Sequence, residues 1–105
     1  MHTRSLTLKL KSPSIVEFTR LIESEIIPML RKQKGFRDEI TFVAPERGEA
    51  LAISFWDTQE NAEAYTRTVY PEVLKTLSKV VDGTPTVENF EVANSTFHKI
   101  AAQGA

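Results

Sequence analysis

The chain has 105 residues, enough to bury roughly two thirds of its unfolded surface around one core and too few for two, so a single domain spanning residues 1–105 is expected. A charged fraction of 26% and a net charge of -1 describe an ordinary surface, without the positive field that non-specific phosphate binding requires, which argues against nucleic acid as a partner. Cysteine is absent, so there is no disulfide framework, thiol nucleophile or thiolate metal site, and no apolar run approaches a signal-peptide core or a membrane span; a cytoplasmic protein with no membrane partner is expected.

Leu6, Leu8 and Leu10 alternate with Thr7, Lys9 and Lys11, the period-two signature of a half-buried first strand. Ser12, Pro13 and Ser14 break it and start a helix whose apolar positions Ile15, Phe18, Ile22, Ile26, Met29 and Leu30 recur at helical spacing. Pro28 cannot donate to the carbonyl four residues back, so this helix either kinks near Glu25 or restarts with Pro28 in its first turn. Gly35, after the basic turn of Arg31, Lys32 and Lys34, fits a left-handed cap.

Ile40 and Phe42 alternate with Thr41 and Val43 on a second strand, and Pro45, Glu46, Arg47 and Gly48 reverse the chain into a third. There Leu51, Ile53 and Phe55 share one face, and Ala52, Ser54 and Trp56 the other. Asp57 or Thr58 caps the next helix, with Glu60 at capping-box spacing from Asp57; Ala62, Tyr65 and Val69 line one side of it. Pro71 interrupts, Val73, Leu77 and Val80 continue the stripe, and Asp82-Gly83 ends the second piece. A last strand runs from about Thr86, with Phe90 and Val92 on one face and a bulge placed at Ala93, Asn94 and Ser95. Gln103, Gly104 and Ala105 read as a loose end.

This order is βαββαβ: an α+β, ferredoxin-like fold with a four-stranded antiparallel sheet and both helices on one face. Right-handed crossovers are expected to set the helices against Leu6, Leu8, Leu10, Ile40, Phe42, Leu51, Ile53, Phe55, Phe90 and Val92. The reverse side then holds Thr7, Thr41, Val43, Ala52, Ser54, Trp56, Asn89 and Ala93, a surface too apolar and too short in side chain for a solvated sheet. Its natural cover is a second copy across a two-fold axis, so a homodimer through the open sheet face is expected; the alternative is a monomer with a mixed outer face.

Ile27-Pro28-Met29-Leu30 before Lys34-Gly35-Phe36, the strand end Phe55-Trp56-Asp57 and the helix from Glu60 to Tyr65 together resemble the antibiotic-biosynthesis-monooxygenase (ABM) type of dimeric α/β barrel, over nearly the whole chain. The resemblance implies a dimer built by packing two sheets and, in some members, oxygenation of aromatic polyketides or quinols with no metal, flavin or haem cofactor. Other members degrade haem, using an Asn on the first strand, a Trp in the second helix and a later His. Alignment from Trp56 puts Leu6, Tyr65 and Lys75 at those places, which removes the iron ligand and argues against haem degradation.

Oxygenation without a cofactor needs a base, an apolar aromatic-lined pocket and a donor for the forming oxyanion. Tyr65 on the sheet-facing side of its helix and His98 are the catalytic candidates; Trp56, Tyr70, Arg67 and Asn89 are the candidates for contact with a small aromatic substrate. Each has a structural alternative: Tyr65 and Trp56 as packing aromatics, His98 as a surface or interface residue, Arg67 as a solvated helix charge. His2 belongs to a terminus expected to fray, and Asp38 and Glu39 read as ordinary strand charges. No metal-ligand spacing and no phosphate-binding glycine loop is present. The competing function is a non-catalytic dimeric module that binds a small ligand or serves assembly. RNA binding on the open sheet is disfavoured because Thr7, Ala52 and Ser54 occupy the places of the stacking aromatics.

Overall fold

The computed structural model describes residues 1–11 and 14–97; Ser12, Pro13, His98 and the tail of Gln103, Gly104 and Ala105 lie outside the described residues. Four strands, β1 (His2–Leu10), β2 (Phe36–Ala44), β3 (Glu49–Trp56) and β4 (Val81–Glu91), form one antiparallel sheet in the order β2-β3-β1-β4. Between β1 and β2 run α1 (Ile15–Leu21), a π-helical turn (Ile22–Ile26) and α2 (Ile27–Arg31); between β3 and β4 run α3 (Gln59–Thr68) and α4 (Tyr70–Leu77). The helices cover one face of the sheet, giving the α+β, ferredoxin-like βαββαβ fold.

Pro28 explains the irregular first helix. It has no N–H to give and its ring crowds the carbonyl of Ser24, so the chain widens to a π turn over Ile22–Ile26 and restarts as α2 with the proline in its first turn. Ile22, Ile26 and Leu30 stay buried through the irregularity. After it Gly35 adopts φ +80°, and its carbonyl accepts the Asp57 N–H at 2.8 Å. A Cβ at this glycine would fall 2.2 Å from Asn61 Oδ1, so glycine is needed for space as well as for conformation.

Thr58, rather than Asp57, caps α3: its hydroxyl oxygen accepts the Asn61 N–H at 3.1 Å. Asp57 instead pairs with Arg37 at 3.3 Å. Pro71 sits in the first turn of α4, where a missing N–H costs nothing. The last strand begins at Val81, earlier than the expected start near Thr86, and so takes in Asp82 and Gly83 rather than following them. The bulge also moves. Pairing with β1 jumps from Thr7↔Thr86 to Lys9↔Asp82, so the extra residues sit around Gly83 (φ +70°) and Pro85, while Ala93, Asn94 and Ser95 lie beyond the strand.

Register corrects the expected assignment of faces. Residues directly opposite on neighbouring strands point to the same side, and Leu6 pairs with Ala52, Thr7 with Leu51 and Arg4 with Ser54. The side that β1 buries with Leu6, Leu8 and Leu10 is therefore shared by Ala50, Ala52, Ser54 and Trp56 of β3. Leu51, Ile53 and Phe55 face away from the helices, joined by Ile40 and Phe42 of β2 and Phe90 of β4. Thr41, Val43 and Asn89 move to the helix side. The cause is space. Phe18, Leu21, Tyr65, Tyr70, Val73 and Leu77 already fill the gap beneath the helices, and the small β3 residues let them approach closely.

Candidate functional site

The helix-covered face has an apolar end and a polar end on the same strand. Leu6, Leu8 and Leu10 continue in the same parity to Arg4 and His2, which are 3% and 5% exposed. His2 is thus a buried member of β1 rather than a fraying end, and its Nδ1 and Nε2 lie 3.0 Å from Glu91 Oε1 and Asn89 Oδ1. On the neighbouring strand Trp56 is fully buried, and its indole N–H donates to Ser54 Oγ at 2.8 Å. Helix α3 brings Tyr65 against Trp56, with ring centres 5.0 Å apart, and the start of α4 sets Tyr70 6.2 Å from Tyr65. Phe36 closes the row edge-on, 5.6 Å from Trp56.

Arg4 lies beneath this row. Its guanidinium carbon is 3.9 Å from the Tyr70 ring centre and 5.4 Å from that of Tyr65, and its Nε donates to Thr66 Oγ1 at 3.0 Å. Its Nη2 is buried with no hydrogen-bond partner, as is the Tyr70 hydroxyl, and among the described residues no carboxylate forms an ion pair with it. Stacking on two phenol rings offsets part of the cost of burying this charge, but leaves it without a counter-ion.

An acidic residue, Glu39, shares this region. Paired with Ser54 across β2 and β3, it faces the helix side and lines the same small cavity as Arg4. Burial pushes its carboxyl above the usual carboxylate range, opposed by a hydrogen bond donated by the Thr41 hydroxyl. Tyr65 is pushed up to about 12 by burial, against the pull of the Arg4 charge. Burial also raises Tyr70, opposed by the Arg4 charge and by the approach of the guanidinium to its hydroxyl, although neither Nη2 nor the hydroxyl reaches hydrogen-bond geometry. A phenol held at that value keeps its proton at neutral pH, so Tyr65 is suited to donate a hydrogen bond and not to act as a base. The cavity between sheet and π turn has a volume of about 30 Å³. Apart from Arg4, Glu39, Ser54 and Tyr65, its wall is aliphatic, with Leu6, Leu8, Ile22, Ile26, Leu30 and Leu77 among its residues. A larger concavity, about 550 Å³, lies on the open face around Thr3, Phe55, Val92 and Phe97.

Of the residues singled out from sequence, Trp56, Tyr65 and Tyr70 come together. Trp56 lies beneath the helices and not on the open face where it was expected. Asn89 touches His2 at the margin of β4. Arg67 is exposed on α3, away from the cavity lining. His98 lies outside the described residues. Arg4 and Glu39 were missed. A signal for Arg4 was there to read: it shares parity with three core leucines, and a charge on the buried side of a strand calls for a partner or a task. Glu39 carried no such signal, because β2 has large apolar residues on the other side. Among the described residues no cluster of acidic and histidine side chains could hold a metal ion, and no helix is long and apolar enough to cross a membrane.

No family model and no curated protein matches the sequence. Solved structures do match its fold. SnoaB from Streptomyces nogalater, described as a cofactor-independent oxygenase, superposes with a TM-score of 0.74 at 11% identity over 90% of this chain and 95% of that one. A Deinococcus radiodurans protein bearing the antibiotic biosynthesis monooxygenase name gives 0.73 at 14% identity over 92% and 97%. A Nitrosomonas europaea protein of unknown function gives 0.75 at 11% over 91% and 92%. The fold is that of antibiotic biosynthesis monooxygenase-like structures, the group the sequence resembles; at these identities the likeness defines the fold and leaves activity open.

Proposed function

We propose that this protein is a cofactor-independent monooxygenase of the ABM type, acting on a small aromatic or quinol-like substrate, and that it works as a homodimer joined through the open sheet face. The observation that carries the reading is the pairing, in one cavity, of a buried, uncompensated Arg4 with a half-buried carboxyl, Glu39. Oxygenation without a cofactor asks for those parts: a base to ionise the substrate and a fixed positive charge where negative charge develops.

In this reading the substrate lies outside the small cavity, against the exposed side of Glu39, and gives its acidic proton to a Glu39 carboxylate oxygen. The raised carboxyl is a stronger base than an ordinary glutamate. The substrate anion passes one electron to dioxygen, the resulting radical and superoxide couple into a peroxide anion, Glu39 returns the proton to it, and the hydroperoxide loses water to leave the oxidised ring. Tyr65 donates a hydrogen bond, Trp56 and Tyr70 pack behind it and fix its ring, and Asn89 holds His2 near by. His98 stays a candidate second base. Arg67, exposed on its helix, contributes least.

The dimer reading is supported by the face that register turned outward. Phe42 and Phe90 are 52% and 54% exposed, beside Ile40, Leu51, Ile53 and Phe55. Large side chains on a flat sheet form a stronger docking surface than the short-chained face expected from sequence. The competing reading, a non-catalytic ligand-binding module, draws on the small cavity volume.

An oxygen electrode decides between them. Purified protein stripped of metal and flavin should take up oxygen with at least one of a panel of anthrones, quinols and catechols, and Glu39→Gln should slow that uptake at least a hundredfold. No uptake across the panel supports the module. Uptake unchanged in Glu39→Gln, Tyr65→Phe and His98→Ala would remove all three assigned roles.

A further inference from the structure

The cavity beside Arg4 is too small for the ring that the proposed reaction needs, and its lining is of two kinds. A water-sized occupant takes about 10–15 Å³ of such space. The cavity of about 30 Å³ therefore holds two atoms of that size and no aromatic ring. Most of its wall is aliphatic, with Leu8, Ile22, Ile26, Leu30, Val73 and Leu77, which an apolar diatomic tolerates, and its polar end is made by Arg4, Glu39, Ser54 and Tyr65. Once Glu39 has taken up the substrate's proton, the one charge left at that polar end is Arg4. Arg4 is 3% exposed, its Nη2 has no partner, and no carboxylate among the described residues pairs with it. Buried charges are normally compensated. A guanidinium with no paired carboxylate, at the polar end of a largely aliphatic two-atom cavity, is matched by an occupant that is neutral when it enters and negative once it has reacted.

We propose that this cavity is the dioxygen site, and that Arg4 holds the superoxide formed there. The assignment rests on the oxygenase reading. The substrate, having lost its proton to Glu39, gives up one electron and becomes a neutral radical; dioxygen accepts that electron and becomes superoxide, whose charge sits beside the guanidinium. The two then couple into a peroxide anion, whose charge stays beside Arg4 until the proton held by Glu39 returns to it and leaves a neutral hydroperoxide. Arg4 thus attracts the product of the electron transfer without attracting dioxygen, which is the differential stabilisation that speeds a step. The π turn fits this arrangement, since Ile22 and Ile26 on it form part of the wall and a widened turn leaves unfilled space where a regular helix would pack.

The test needs no turnover, so its result is separate from the fate of the oxygenase reading. Xenon stands in for neutral dioxygen and azide for a small monoanion, one followed by xenon NMR shift and the other by the azide infrared band. The wild-type protein should take up one xenon and one azide per chain, each displacing the other. Arg4→Met should keep xenon and lose azide affinity at least tenfold, while Arg4→Lys should keep azide within a few-fold. Ile26→Trp, filling the cavity, should abolish both; near-unchanged far-ultraviolet circular dichroism would show that each variant folds. Absence of both ligands from wild-type protein, or azide bound equally by wild type and Arg4→Met, would overturn the proposal. Binding as expected together with no oxygen uptake on the panel would sink the oxygenase reading and leave a site for small neutral and anionic guests.

Discussion

β3 presents two unlike faces from one run of eight residues. Beneath the helices it shows Ala50, Ala52, Ser54 and Trp56; on the open side it shows Leu51, Ile53 and Phe55. Bulk is placed where nothing else supplies it. Under the helices the volume comes from Phe18, Tyr65, Tyr70 and Leu77, so the strand is thin there and widens to tryptophan only where the α3 side opens. On the open side no element of the described residues covers the sheet, and the strand offers its own large side chains. A covered face is filled from both layers, whereas an uncovered face carries only the bulk of its own strands.

The contrast is broken most severely at Trp56. With the indole fully buried between Phe36 and Tyr65, Trp56→Ala should cost about 3–5 kcal/mol, read as a lowered urea midpoint. Charging the other face should act differently. Phe42→Asp combined with Phe90→Asp is expected to weaken self-association at least a hundredfold, about 2.7 kcal/mol, leaving an 11.8 kDa monomer in sedimentation, with the unfolding of the protomer nearly unchanged.

The covered face can also be sharpened by substitution at its polar end. Removing an unpaired buried charge relieves strain that packing does not repay, so Arg4→Met should raise stability by about 1 kcal/mol in urea unfolding, the lost stacking on Tyr70 and bond to Thr66 holding the gain down. The smallest effect is at Glu39. Because its folded pKa is raised, it favours the folded state below the ordinary carboxylate value and loses that contribution as pH rises through the raised one. Glu39→Gln should therefore flatten the fall in thermal midpoint across that window, and a wild-type midpoint rising over the same window would contradict the burial of this carboxyl.

The elements themselves were legible because their signals are local. Leu6, Leu8 and Leu10 announce a strand by alternation, Pro28 and Pro71 announce breaks by their missing N–H, and Gly35 announces a cap by its freedom at positive φ. The early start of β4 was hidden for an equally local reason: Asp82, Gly83 and Pro85 look like a turn and are in fact a bulge held in the ladder by pairing with β1. Tyr65, Tyr70 and Trp56 were visible as aromatics at element ends. Their meeting over Arg4 was not, since Arg4 is 61 residues from Tyr65 along the chain and joins it only through the tertiary fold.

Composition, alternation and turn chemistry by themselves determined the order of strands and helices, the ferredoxin-like class and which residues of each strand travel together. Which of the two sets on β2, β3 and β4 goes under the helices was decided only by tertiary structure. Period-two alternation defines two faces without labelling them. The label comes from cross-strand register and from the volume that the packed helices leave free, and both depend on residues far apart in the chain.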